Sequence, residues 1–249
     1  MAKNREMIIW LAIVCLMVFA MVVVGGITRL THSGLSMVDW KPLMGIIPPL
    51  NEQEWVRVFE MYKTSPEYKL VNLGMSLEDF KGIFLWEYWH RVLGRLVGMI
   101  FLFPWIYFAI TKRLSLKFNL RFFAAFLLGG GQGLMGWYMV KSGLVKDPAV
   151  SHYRLAAHLS LAFLIIGVLL WYIFDLKESA KKGVILVSGR LKLFTIITFT
   201  VFCIQIVYGA FTAGLKAGFG FNTYPKMGEG WFPPGFFESN SLKIGRAHV

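Results

Sequence analysis

Charge is scarce in this chain. Only 16% of its 249 residues are Asp, Glu, Lys or Arg, against about a quarter in a soluble globular domain. Acids are scarcest: 14 Asp and Glu stand against 26 Lys and Arg, a formal net charge of +12. Cysteine is nearly absent. Cys15 and Cys203 each lie inside an apolar run, and neither has a CxxC neighbour. That excludes a zinc or dithiol redox motif and leaves two small buried hydrophobes. No Arg/Ser-rich transit segment precedes the first apolar run, which favours a bacterial inner membrane over a mitochondrial precursor.

Apolar residues fill the space that charge leaves. They make up 56% of the chain, mean hydropathy is +0.58, and there are 22 Phe and 9 Trp. This is the composition of an integral membrane protein, with lipid as its first partner. The basic excess sits mainly in short loops between apolar segments, where it signals topology. It therefore does not point to nucleic acid as a partner.

Five apolar segments are long enough to cross a bilayer as helix, which takes about 20 residues. They run over 7–27, 84–110, 121–140, 154–174 and 192–212, so the expected fold is an all-α bundle of five spans. The loop after the second holds Lys112, Arg113, Lys117 and Arg121 without an acid, and the loop after the fourth is also basic. Both loops and the N-terminus are expected on the cytoplasmic side. The long segment 31–83 then lies outside, on the periplasmic side. Within it Trp55, Val58, Phe59 and Tyr62 have helical spacing. A helix lying on the membrane surface and a helix packed over the bundle mouth both fit that pattern. Ser76-Leu-Glu-Asp79 resembles a capping box.

The chemistry concentrates at Glu87-Tyr-Trp-His90-Arg91. A carboxylate and an imidazole three residues apart share a helix face, and inside a membrane such groups are costly enough to mark function. The face continues through Gly94, Val97, Gly98 and Phe101, with a GxxxG step that admits close approach of a helix or flat ligand. Arg91 and Arg95 flank it. The fourth span opens Tyr153-Arg154-Leu-Ala-Ala-His158, entering from the same side. His90 lies about 10 Å in and His158 about 6–8 Å. Two imidazoles at matched depth suit a six-coordinate haem iron, and arginines suit its propionates. The same groups would serve a proton relay, so spacing alone separates neither catalysis from transport nor an enzyme from an electron-carrying cytochrome b.

The other histidines carry less. His32 and His152 are expected in solvent, and His248 falls in the tail. Gln132-x3-Gly136 and Gln205-x3-Gly209 place an amide one turn before a glycine, which reads as interhelical hydrogen bonding and close packing. A shift of 184 residues lays Gly25 on Gly209, Thr28 on Thr212, Gly34 on Gly218 and Trp40 on Tyr224. The first and fifth spans would then be equivalent, with four spans per repeat, and the counterparts of Glu87 and His90 would fall beyond residue 249. Ile244-Gly-Arg-Ala-His-Val can be written in codons that match a common sequencing adapter, so residues 241–249 are taken as a non-native tail.

Four stretches together resemble haem A synthase. They are Gly25-Gly-Ile-Thr-Arg-Leu-Thr-His-Ser-Gly-Leu-Ser-Met-Val-Asp-Trp-Lys-Pro42, Glu87-Tyr-Trp-His-Arg-Val-Leu-Gly-Arg-Leu-Val-Gly98, Tyr153-Arg-Leu-Ala-Ala-His158, and Gly209-Ala-Phe-Thr-Ala-Gly-Leu-Lys-Ala-Gly218 with Asn222-Thr-Tyr-Pro225. The likeness is to the proteobacterial and mitochondrial type, with a long first outer loop lacking a cysteine pair. It implies an eight-span parent of two four-helix halves. Residues 1–175 would form the first half and 176–240 the start of the second. It implies oxidation of a haem O methyl group to a formyl group, giving haem A for cytochrome oxidase. Haem O would sit between His90 and His158, with Glu87 acting at the methyl and Arg91, Arg95 and Arg154 toward the propionates. A b-type haem belongs to the parent's second half, and its histidine pair is absent from this sequence. Haem O synthase and an electron-transfer protein are the implied partners, and self-association is left open.

Overall fold

In the computed structural model the described residues are 2–38, 47–144, 149–178, 187–217, 220, 223 and 226–232. The expectations placed on Trp40, Gly218, Asn222, Tyr224, Pro225 and the tail 241–249 lie outside them. Among the described residues the elements are seven helices: α1 Ala2–Leu30, α2 Glu52–Lys63, α3 Pro66–Leu70, α4 Leu77–Ile110, α5 Leu116–Gly143, α6 His152–Glu178 and α7 Gly189–Gly214. Among the described residues, four helices are long and apolar enough to cross a membrane: α1, α4, α6 and α7. The expected count of five is corrected there. Segment 121–140 does form helix, within the 28 residues of α5. Its run Gly129-Gly-Gly-Gln-Gly133 dilutes the apolar character that a span needs.

Helix α1 packs on α4 and α6, and α5 packs on the same two. These four form a ring in which α4 and α6 stand diagonally opposite, while α7 lies against the outside of α6. Short connections make α4, α5 and α6 antiparallel in turn. One end of the ring carries α2 and α3 and is termed the cap end. The other carries Arg113, paired with Glu6 at 2.7 Å, and Arg121, paired with Asp175. It is termed the basic end.

The bundle is packed solid toward the basic end. Met7, Trp10, Leu11 and Val14 of α1 meet Phe101 and Phe108 of α4, Phe122 and Ala125 of α5, and Ile165, Leu169, Tyr172 and Leu176 of α6. The Trp10 ring lies 5.2–5.6 Å from those of Phe101, Phe108 and Phe122. One hydrogen bond there has a specific cause. Pro104 sits inside α4 and has no N–H, so the carbonyl four residues earlier loses its helical donor. That carbonyl belongs to Ile100, and the Trp10 indole N–H donates to it at 2.8 Å. In lipid such a group has no water to turn to.

At the cap end Phe59 and Tyr62 of α2 are buried with Phe80, Phe84 and Tyr88 of α4. Helix α2 thus packs against the first turns of α4. Helix α4 begins at Leu77, seven residues before the expected apolar start. Ser76 is its N-cap, accepting from the Asp79 N–H at 3.1 Å. The box is modified: the Asp79 carboxylate accepts from the Ser76 hydroxyl at 2.6 Å. Under the cap Glu67 is 6% exposed. It accepts from Tyr62 Oη at 3.0 Å, and Tyr62 Oη accepts from Asn72 at 2.7 Å.

Two outcomes are expected. Trp10→Phe leaves the Ile100 carbonyl unpaired and lowers stability by about 1–3 kcal/mol. Pro104→Ala restores the helical donor, so the loss in the double variant is smaller than the sum, as thermal unfolding in detergent would record. The second concerns Glu67. Burial, with a further push from Glu87, raises its carboxyl from 4.5 to about 7, against the opposing pull of the Tyr62 hydrogen bond and Lys216. A group raised on folding favours the fold when protonated. The cap is therefore most stable below its unfolded value and loses stability as pH rises through about 7. Hydrogen exchange over residues 52–72, corrected for intrinsic rates, should accelerate across that window, and Glu67→Gln should flatten the response.

Candidate functional site

Among the described residues Glu87 is the most confined acid at the cap end, 3% exposed. Three donors from two segments meet it. The Ser36 hydroxyl donates to Oε2 at 2.7 Å and the Met37 backbone N–H to the same oxygen at 2.8 Å. The Arg91 guanidinium donates to Oε1 at 2.5 Å and also to the Met37 carbonyl at 3.2 Å. Arg91 is four residues on in α4, the spacing at which helical side chains meet. Residues 36 and 37 arrive from the turn after α1. That turn is a Schellman closure: Ser33 N–H bonds the Thr28 carbonyl at 2.9 Å and His32 N–H the Arg29 carbonyl at 3.3 Å. His32 holds the left-handed position with φ 52°, a place usually given to glycine.

His90 follows Glu87 by three residues and lies against α1. A Cβ at Gly25 would stand 3.3 Å from His90 Nε2. His158, on α6, lies against α5 in the same way. A Cβ at Gly136 would stand 3.1 Å from its Cε1. Each imidazole thus rests on the backbone of the neighbouring helix at a glycine, and the two stand on diagonal helices. Gln132, one turn before Gly136, donates to the His158 carbonyl at 3.1 Å, and its Nε2 lies 3.4 Å from His158 Nε2. His158 Nδ1 and Gln132 Oε1 are buried without a partner.

The interior around these histidines differs from the basic end. On α4, nothing comes within 4 Å of a Cβ placed at Gly98, and only Met21 Cε comes near one at Gly94, at 3.6 Å. On α6 the buried residues flanking His158 are Ala156 and Ala162. Small residues replace the aromatics of the packed half.

The other sequence candidates separate. Arg91 holds Glu87, and Arg95 stands one turn further along α4. Arg154 is turned onto α5, donating to the Tyr138 carbonyl at 2.8 Å with its guanidinium 3.7 Å from the Tyr138 ring centre. His32 is exposed, as expected. His152 is not left to solvent. It packs at the end of α7, with Phe211 edge-on at 5.4 Å, and a Cβ at Gly214 would come 2.5 Å from its own Cβ. Ser36 was visible only as part of the stretch 25–42, and its role depends on the turn that returns it to α4. Gln132 was visible as an amide near a glycine, without its histidine.

The ends of α1 and α7 also match. Lys216 holds φ 53° and His32 φ 52°, 184 residues apart. Their N–H groups bond Ala213 O and Arg29 O, both at 3.3 Å. Arg29 donates to the carbonyls of Ala213 and Gly214 at 2.8 and 3.2 Å.

Comparison with known proteins gives one consistent result. The COX15-CtaA family, described as cytochrome oxidase assembly protein, matches over residues 8–246. "Heme A synthase" of Nitrosospira multiformis is 49% identical over 241 residues, 95% of this chain and 67% of that protein. The protein of that name in Paramagnetospirillum magneticum is 48% identical, over 94% of this chain and 68% of its own length. That of Flavobacterium psychrophilum is 47% identical, over 98% and 70%. No solved structure matches.

The contact between Gly136 and His158 is testable without a ligand. Gly136→Ala crowds the imidazole and should cost about 1–3 kcal/mol. In a His158→Ala background the crowding is gone. A double-variant cycle of thermal unfolding should show the penalty fall by at least half.

Proposed function

The chain belongs to the COX15-CtaA family of cytochrome oxidase assembly proteins, and from that premise we propose that it works as a haem A synthase in haem A biosynthesis. Its substrate is haem O, held between His90 and His158, and one porphyrin methyl group is oxidised to a formyl group. The observation that carries this reading is the pair of imidazoles on diagonal helices, at the level where the core changes from aromatic rings to glycine and alanine. The donor set fits haem iron: neutral nitrogen ligands suit it, and His158 keeps one ring nitrogen unpartnered. Gly94 and Gly98 leave flat backbone beside His90.

Each residue then has a task. His90 and His158 hold the iron, and Gly25 and Gly136 let both rings lie close to the helix backbones. Ser36, Met37 and Arg91 fix the direction of the Glu87 oxygens, so that its charge is aimed before the reaction begins. A carboxylate held this way can steady positive charge developing at the reacting carbon or take its proton. A guanidinium has five N–H donors. Arg91 and Arg154 therefore retain donors for propionates beyond the contacts they make here, and Arg95 lies one turn beyond Arg91 on α4.

Residues 1–175 form the substrate half and α7 opens a second half, which in the parent architecture holds the b-type haem. The matched turns at the ends of α1 and α7 support that division. The basic end faces the cytoplasm, and the cap end with the haem site faces the periplasm, as the loop charges favour. Haem O synthase and an electron acceptor are the partners this chemistry requires.

The test is the spectrum and the extracted haem of the chain purified from cells making haem O, beside His90→Ala and His158→Ala. A low-spin bis-histidine spectrum lost in either variant, with formyl haem in the wild-type extract, is expected. Unchanged haem O would mark an electron-carrying cytochrome instead. A spectrum intact in both variants would overturn the site, and a well-folded chain without haem would favour a proton-coupled transporter.

A further inference from the structure

The ring of four helices is closed unevenly. Of its four sides, α1 with α6 makes the most extensive contact and α4 with α5 the least. Toward the cap end the turn after α1 is held to α4 through Glu87, and Met21 of α1 lies beside Gly94. Helix α5 is held to α6 by Gln132 on the His158 carbonyl at 3.1 Å, and α6 to α5 by Arg154 on the Tyr138 carbonyl at 2.8 Å. The contact of α4 with α5 gathers lower, around Trp105. Its indole N–H donates to Asn119 Oδ1 at 2.8 Å, and its ring centre lies 6.1 and 5.8 Å from those of Phe123 and Phe126. Trp105 and Phe126 thus mark the faces on which the two helices meet. Two helical turns take about seven residues, and the two helices run in opposite directions. Two turns nearer the cap, the same faces carry Gly98 on α4 and Gly133 on α5. Both are exposed, and nothing comes within 4 Å of a Cβ at either, or at Gly130 about one turn before Gly133. The seam therefore parts above Trp105. At this level two polar atoms are buried without a partner: Gln132 Oε1, on the residue before Gly133, and His158 Nδ1. Unpaired buried polar atoms are rare in folded proteins and call for a reason. Here they mark the level at which a ligand is received.

We propose that haem O reaches the two histidines sideways from the bilayer, through the seam between α4 and α5 at Gly98 and Gly133. This rests on the reading of the chain as a haem A synthase. Haem O carries a long isoprenoid tail beside its flat ring. Such a tail holds it in the membrane, so the molecule arrives at the lipid-facing wall of the bundle. A planar ring passes between two helices where neither projects a side chain, and glycine on both helices provides that at one level. Passage between α1 and α4 or between α5 and α6 would break the hydrogen bonds that close those sides. Trp105 forms the floor of the seam and keeps the ring out of the packed half. Arg91 continues the Gly98 stripe of α4 two turns nearer the cap, so the charged edge of the ring meets a cation at the end opposite Trp105.

The test follows uptake of haem O by the full chain in lipid nanodiscs. The haem is supplied from donor vesicles, and binding is read as growth of the low-spin Soret band. Gly130→Leu with Gly133→Leu fills the seam from α5. Leucine is a better helix former than glycine, so this variant should unfold no earlier than wild type. Uptake should slow at least tenfold, while final occupancy at saturating haem O stays the same. Gly82→Leu places the same side chain on the opposite face of α4, at an exposed and equally open position, and should leave the rate unchanged. Unslowed uptake in the double variant overturns the route, as does an equal slowing in Gly82→Leu. Final occupancy falling in step with the rate also overturns it, and makes these glycines part of the seat of the ring. If the double variant fails to fold, Gly133→Cys is folded first and then given a bulky thiol label. Uptake as fast after labelling as before, or a cysteine that no label reaches, overturns the route. Wild type that takes up no haem, or a bis-histidine spectrum surviving in His90→Ala or His158→Ala, brings down the haem reading itself together with the route.

Discussion

The cap end is organised around one buried carboxylate. Glu87 gathers the Ser36 hydroxyl, the Met37 N–H and the Arg91 guanidinium within hydrogen-bond distance. Leaving such a group without its partner costs on the order of 3–5 kcal/mol, so the turn after α1 is held to α4 by more than the packing of its own residues. That attachment keeps α1 in register with α4, and the register is what sets Gly25 against His90. The carboxylate and the histidine share one helix, but the position of both relative to α1 depends on the chain that returns to Glu87.

The bundle divides its length between stability and space. Toward the basic end Trp10 and the phenylalanines of α4 and α5 interlock, and the indole N–H even replaces the donor that Pro104 withholds. Between apolar helices in lipid, close packing and satisfied polar groups supply the association that hydrophobic burial supplies in water. A rigid half of this kind lets the other half be built from glycine and alanine without collapse. Gly25 and Gly136 receive the imidazoles, and Gly94 and Gly98 stay uncovered. The same residue type thus has two uses, close contact at the first pair and open surface at the second.

The junction of α1 with α7 has a logic of its own. Both helices end in the same turn, with His32 and Lys216 in the left-handed position. Arg29 donates to the last carbonyls of α7, where a cation is favoured by the helix dipole. His152 fills the space that Gly214 leaves. Helix α7 is therefore attached to the bundle by polar and shape contacts at the cap end, while its flank packs along α6.

Much of this was legible in order along the chain. Apolar runs gave the long helices, because a span must satisfy its own backbone. Loop charge gave an expected orientation, and the spacing of Glu87 to His90 put two costly groups on one face. The count of spans was less legible, since α5 carries glycine and glutamine where a lipid-facing helix would not, and its surroundings explain why: Gly136 and Gln132 face a histidine. His152 was misjudged because a loop histidine looks solvated until the end of α7 is placed beside it. Sequence by itself determined helices, ends and the residue types available for chemistry, all of which follow from local periodicity and solvation. Only the tertiary structure decided that His90 and His158 stand on diagonal helices, that Ser36 returns to Glu87 and that Gln132 meets His158. Those pairings join residues far apart in the chain, and no local pattern encodes which helix face meets which.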